Sequence, residues 1–133
     1  MKPISSSVTG GLQVGSRVAT CDNSGAKIVE IISVLKKKTT KGRRQTAGVG
    51  DMVILSVKKG RPDVRKQVMH GVVVRQKKEF RRADGMHVKF EDNAIVVCKD
   101  EKGNPKGTIF KGPIAKEATD RWPAVANVAS IIV

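Results

Sequence analysis

Short runs of β-branched and other apolar residues, each closed by a turn signal, set the rhythm of this chain. The stretches 14–21, 26–35, 52–57, 68–75 and 94–98 are predicted to be strands, with a further short one at 87–90. Residues alternate with period two at Val53, Leu55 and Val57, and again along Ile28, Glu30, Ile32 and Val34, as expected where one strand face is covered. Val72-Val73-Val74 and Ile95-Val96-Val97 are apolar without a break, which predicts strands buried on both faces.

Turn chemistry separates these runs. Asp22-Asn23-Ser24-Gly25 can form an Asx turn with Gly25 at positive φ, and Ala83-Asp84-Gly85 is a hairpin signal. Gly48-Val49-Gly50-Asp51 and the stretch 102–107 are further loops. Short strands at close spacing favour a mainly β barrel or sandwich over βαβ units, and closure into a barrel would protect the sheet edges. The C-terminal stretch, 112–133, differs. Pro113 is placed to open a helix over 114–121, and Pro123 to interrupt it and start a second short helix through Ala129. Ala118, Ala124, Ala126 and Ala129 favour that conformation. At 133 residues, with no internal repeat, the chain fits one domain with an N-terminal extension over 1–12.

Charge changes the picture from fold to partner. The chain carries 26 Lys and Arg against 12 Asp and Glu, a formal net charge of +14. Residues 1–90 hold 20 basic and 6 acidic side chains, whereas residues 91–133 hold 6 of each, so the whole excess belongs to the first part. A protein this basic repels itself unless a polyanion neutralises it, and nucleic acid is the commonest such partner. The basic residues concentrate in 36–46 (KKKTTKGRRQT), 58–66 (KKGRPDVRK) and 75–82 (RQKKEFRR). Gly42, Gly60 and Pro62 mark the first two as loops, and the third reads as a strand end running into a turn.

A membrane is a poor alternative, since no apolar run approaches the roughly 18 residues of a spanning helix, and MKPISSSVTGG has no apolar core of a secretory signal. Cys21 and Cys98 lie in no CxxC or Cys/His cluster, so no metal or other cofactor is expected. They read as buried reduced thiols of a cytoplasmic protein, with a single disulfide as the alternative.

The candidate phosphate ligands are Lys36, Lys37, Lys38, Lys41, Arg43, Arg44, Arg75, Lys77, Lys78, Arg81 and Arg82. Arg offers a planar fork to phosphate oxygens and Lys a point charge, so recognition would rest on the shape and backbone of a nucleic acid. A free-standing RNA chaperone of the OB type is the rival, but such modules stack bases on exposed aromatics, and here there is no Tyr, one Trp and three Phe. Phe90 and Phe110 read as core; Phe80 either stacks on RNA or packs on the barrel. Trp122, Pro123, Val125 and Val128 in the neutral C-terminal part either form an apolar patch for another protein or pack on the barrel. Catalysis has little support, and no small-molecule substrate is expected. His70 and His87 sit on predicted strands, Asp51 follows a glycine at a turn, GVGD is a weak phosphate signal, and Ser24 lacks a nucleophile elbow.

One ordered set of motifs resembles a known family. From Gly71-Val72-Val73-Val74 the chain runs nine residues to Asp84-Gly85, four to Phe90, two to Asn93 and two to Val96-Val97. With Asp22-Asn23-Ser24-Gly25-Ala26, Ala47-Gly48-Val49-Gly50-Asp51 and Gly107-Thr108-Ile109-Phe110…Gly112-Pro113, this spacing resembles large-subunit ribosomal protein fourteen. The N-terminal extension and 36–46 look like the archaeal/eukaryotic-type branch, and the ending Trp122–Ala129 departs from the bacterial pattern. The resemblance implies a small closed β-barrel of about five strands with a projecting β-ribbon and short C-terminal helices. It implies large-subunit rRNA as partner near the subunit interface, neighbouring large-subunit proteins, and small-subunit rRNA at an intersubunit bridge. It further implies a subunit anti-association factor at the C-terminal part.

Overall fold

Five strands close into a barrel in the computed structural model, which describes residues 1–133. The elements in chain order are β1 (Leu12–Gln13), β2 (Arg17–Thr20), β3 (Ala26–Val34), β4 (Thr46–Ala47), β5 (Met52–Gly60), β6 (Val68–Arg75), β7 (Phe80–Arg81), β8 (His87–Val88), β9 (Ala94–Cys98), β10 (Pro113–Ile114), α1 (Lys116–Arg121), α2 (Pro123–Val128) and β11 (Ile131–Ile132). The barrel runs β2-β3-β5-β6-β9, antiparallel throughout except where β9 and β2 close it in parallel at Ala19↔Ala94 and Thr20↔Ile95. Closure gives each of these five strands a partner on both sides, and only the end of β3 past Ile31 runs on beyond β2.

The unbroken apolar runs divide between two hydrophobic cores. Val73, Ile95 and Val97 join Val18, Val29, Ile31, Val53, Leu55 and Val57 in the barrel interior. Val72, Val74, Val96 and Cys98 point the other way, into a second core with Phe80, Phe110, Ile114, Ala118, Trp122 and Val125. β6 and β9 are thus sandwiched between the barrel lumen and the C-terminal helices, and both faces must be apolar. The +14 protein is built around this two-core body, and neither core contains a Lys or Arg.

β3 departs from the expected alternation. Val29 and Ile31 are inside, Glu30 is half-buried, and Ile32 is exposed, the opposite parity to the expected face. Ile31 pairs with Leu55 but Ser33 with Ile54, so Ile32 is an extra residue in a bulge, after which Val34 turns inward. A bulge is invisible to a period-two count. The run 14–21 is also interrupted, since Gly15 takes φ 93 in a turn and the strand begins only at Arg17.

The helices are six residues each, and neither has a side-chain cap; burial of Ala118 and Val125 holds them instead. The first starts at Lys116, because Pro113 and Ile114 form β10 and pair in parallel with β11. The ribbon at 80–88 reduces to two residue pairs, Phe80↔Val88 and Arg81↔His87, around the Ala83-Asp84-Gly85 turn.

Candidate nucleic-acid interface

The strand register sorts the three basic segments by position. Val34 pairs with Val53 and Met52 with Val72, so the loop after β3 and the segment after β6 leave the same end of the barrel. Ala26 pairs with Gly60 at the opposite end, where 58–66 turns from β5 into β6. The eight residues of β6 separate the two ends by roughly 23 Å of strand at about 3.3 Å per residue.

At the first end Lys36, Lys38, Lys41, Arg43 and Arg44 are all exposed, and none has a carboxylate within 4.0 Å. Lys36 takes φ 61, the left-handed region, and there turns the chain off β3. Lys37 is set differently from its neighbours. Its Nζ lies 2.7 Å from Asp51 Oδ2, and it is half-buried, so it anchors the loop. Asp51 Oδ2 also accepts the Gly48 N–H at 2.7 Å, and its Oδ1 lies 3.0 Å from Arg121 Nη1. Asp51 is therefore a buried junction of loop, turn and helix rather than an acid–base group.

From the segment after β6, Lys77, Lys78 and Arg81 are exposed and unpaired, Lys77 and Lys78 where the chain leaves that same end. Arg75 and Arg82 correct the expectation. The Arg75 side chain is only 10% exposed; its Nε and Nη2 lie 3.0 and 3.1 Å from the Asp92 carboxylate, and its Nη1 donates to the Lys111 and Pro113 carbonyls at 2.9 Å each. Arg82 is bound to the buried Glu117 carboxylate at 2.7 Å and to the Val133 carbonyl at 2.6 Å. Both guanidinium forks are occupied by protein and act as ties holding the C-terminal segment. A sequence places them in a charge run but cannot show which way each side chain turns.

Phe80 is 1% exposed and packs in the outer core, with the Arg82 guanidinium 5.9 Å from its ring centroid. It is a stem, not a stacking platform. The C-terminal patch also dissolves: Trp122 is 3% exposed and donates Nε1–H to the Gly50 carbonyl at 2.7 Å, Val125 is buried and Val128 half-buried, leaving only Pro123 exposed. A tryptophan whose one polar atom finds a backbone partner belongs inside.

The other polar candidates are structural. Ser24 Oγ donates to Asp22 Oδ1 at 2.8 Å, and Asp22 Oδ2 accepts the Val97 N–H at 2.9 Å, tying the β2–β3 turn to β9. Burial pushes the Asp22 carboxyl above the ordinary carboxylate range, partly offset by those hydrogen bonds. Cys21 and Cys98 are buried and unbridged, and burial raises each thiol to about 12. His87 Nδ1 lies 2.9 Å from Glu79 on the exposed ribbon.

Sequence reasoning missed two uncharged residues that shape this end. Gln76 is fully buried within its charge run; its Nε2 donates to the Thr9 and Lys78 carbonyls and its Oε1 accepts the Val49 N–H. Gln45 holds the base of the 36–46 loop. An amide that stands alone among lysines was the one available signal. At the far end Lys59, Arg65 and Lys66 are exposed without a carboxylate partner, while Lys58 pairs with Glu30 and Arg61 with Asp63. Val64 seals that end of the lumen.

The profile of the family Ribosomal protein L14p/L23e matches residues 11–133. The chain is 53% identical over 133 residues to the large ribosomal subunit protein uL14 of Nanoarchaeum equitans (strain Kin4-M), covering 100% of both chains. An archaeal relative at this identity fits the archaeal/eukaryotic-type branch. The five-strand barrel, the ordered motifs and the full-length match agree: this chain belongs to the ribosomal protein L14p/L23e family.

Proposed function

We propose that this chain is a structural, non-enzymatic subunit of the large ribosomal subunit, cytoplasmic within the ribosome, that holds folded rRNA with the cations at one end of its barrel. The observation that carries this reading is the set Lys36, Lys38, Lys41, Arg43, Arg44, Lys77, Lys78 and Arg81, exposed together with no carboxylate to neutralise them. The mutual repulsion of such a surface is relieved beside a polyanion. Phosphate contacts of this kind fix register and orientation on an RNA without reading its sequence.

The far end, with Lys59, Arg65 and Lys66, is a separate cationic surface and suits a second RNA, consistent with small-subunit rRNA across an intersubunit bridge. Neighbouring large-subunit proteins, and a factor that blocks subunit joining, would meet the nearly neutral C-terminal part. Since Trp122 and Val125 are internal, that contact falls instead on Pro123 and the exposed Ile131 and Ile132 of β11. A single-strand chaperone is disfavoured by burial of Phe80, Phe110 and Trp122, which leaves only the half-buried Phe90 as an aromatic that bases could reach.

Protein–RNA crosslinking with mass spectrometry on intact large subunits tests the assignment. Crosslinked peptides should carry Lys38, Lys41, Arg43 or Arg44. Crosslinks from these residues to acidic protein alone would overturn it.

A further inference from the structure

The basic loop has almost no structure of its own. No backbone–backbone hydrogen bond lies within 36–44, and the one side-chain bond across its tip is from Thr39 Oγ1 to the Arg43 carbonyl at 2.7 Å. A loop of this kind, bearing five exposed like charges, would sample many conformations unless its base were held. Two side chains hold the base: Lys37, paired with Asp51, ties it to the neighbouring turn, and Gln45 ties its two ends to each other.

β3 is flanked by β2 only as far as the Gly15 N–H to Ile31 carbonyl bond. Past that point the edge facing β2 has no strand beside it. The Gln45 amide takes the vacant place. Its Oε1 accepts the Val34 N–H at 3.2 Å and the Ser33 hydroxyl at 3.3 Å; its Nε2 donates to the Val34 carbonyl at 3.3 Å and to the Lys37 carbonyl at 2.7 Å. A primary amide offers a donor and an acceptor side by side, as a strand residue does, so Gln45 mimics one residue of a ladder. It joins the two ends of the loop through side-chain bonds, while the Gln45 carbonyl accepts the Val14 N–H at 3.3 Å and fixes the outgoing chain.

We infer that Gln45 is a positioning residue for RNA binding: it touches no phosphate itself but holds Lys38, Lys41, Arg43 and Arg44 in their binding arrangement before RNA arrives. This rests on the loop reading proposed above. A binding surface populated only part of the time weakens apparent affinity by that fraction, with no change in the contacts finally made. Loosening Gln45 should therefore weaken binding while leaving the number of neutralised phosphates the same.

The test is a double-mutant cycle on the full-length protein, titrated onto large subunits stripped of it by high salt. Gln45→Met keeps the side-chain volume and removes all four bonds. Gln45→Glu keeps the acceptor and removes both donors. Each is measured in the natural loop and in a loop carrying Lys38→Ala, Lys41→Ala, Arg43→Ala and Arg44→Ala. In the natural loop Gln45→Met should weaken binding at least about fivefold, the equivalent of one net hydrogen bond, with an unchanged salt slope, and Gln45→Glu, which turns an oxygen toward the Val34 and Lys37 carbonyls and adds a negative charge, should weaken it further. In the uncharged loop Gln45→Met should not matter, and Gln45→Glu should retain only the effect of its added charge. Equal weakening in both loops would show a general structural role and overturn the inference, as would no weakening in either. If removing the four cations left affinity unchanged, the loop reading itself would fall.

Discussion

Arg75 separates a buried tie from an RNA ligand, and replacing it with methionine decides between them. The alkyl stem keeps its packing, while four hydrogen bonds are lost. The ion pair itself contributes little, about 0.2–1 kcal/mol, because Asp92 is 52% exposed and its charge is screened by water. The larger cost is the Lys111 and Pro113 carbonyls, each left without its donor at about 1–3 kcal/mol. Summed from these ranges, the total centres on roughly 3–5 kcal/mol. For a 133-residue domain that lowers the thermal midpoint by roughly 10–15 °C, measured by circular dichroism of the full-length protein. Arg75→Lys should recover little of it, since an ammonium cannot reach the carboxylate and both carbonyls at once. The salt dependence of RNA binding, taken where the variant is folded, should match that of the natural protein. A midpoint within about 2 °C of the natural one, with a salt slope shallower by the ~0.7–0.9 of a single lost phosphate contact, would refute the assignment.

Three further outcomes follow from the interior. A Cβ on Gly71 would lie 2.6 Å from Leu55 Cδ2 and 2.8 Å from Ile95 Cγ2 inside the barrel, so Gly71→Ala should cost about 1–3 kcal/mol in urea unfolding. With thiols raised to about 12, Cys21 and Cys98 should resist a thiol-specific disulfide reagent at pH 8 in the folded protein and react fully in denaturant; fast reaction of either in the native state would contradict their burial. Folded Asp22 retains its proton at a pH where the unfolded chain has released it, so its contribution favours folding increasingly as pH falls from neutrality through its raised value. The stability difference between natural protein and Asp22→Asn should therefore shift toward the natural protein between pH 7 and pH 4.5, by chemical denaturation; a shift toward the variant would show the reverse sign.

Much of this architecture is readable in the order of residues, because strand existence follows from patterning. The five barrel strands coincide with five apolar runs, and the unbroken Val72–Val74 run foretold a strand covered on both sides. What patterning cannot supply is parity through a bulge, as at Ile32, or strands of two residues such as β10 and β11, whose pairing is made by contacts distant in sequence. The site shows the same division. Charge density marked the loop at 36–46, but within 75–82 the run concealed two arginines and a phenylalanine that face inward. Side-chain direction there depends on Glu117, Asp92 and the carbonyls of 111 and 113, all far along the chain. The sequence leaves Trp122 between two readings for the same reason: its acceptor, the Gly50 carbonyl, lies 72 residues away.

The most direct measurement of loop cations gripping rRNA is the salt dependence of binding with Arg43→Ala and Arg44→Ala together. Neither side chain makes an ion pair within the protein, so their removal should leave the fold intact. If each neutralises one phosphate, the slope of log K against log salt concentration should become shallower by about 1.5. A slope identical to that of the natural protein would place this loop away from the RNA.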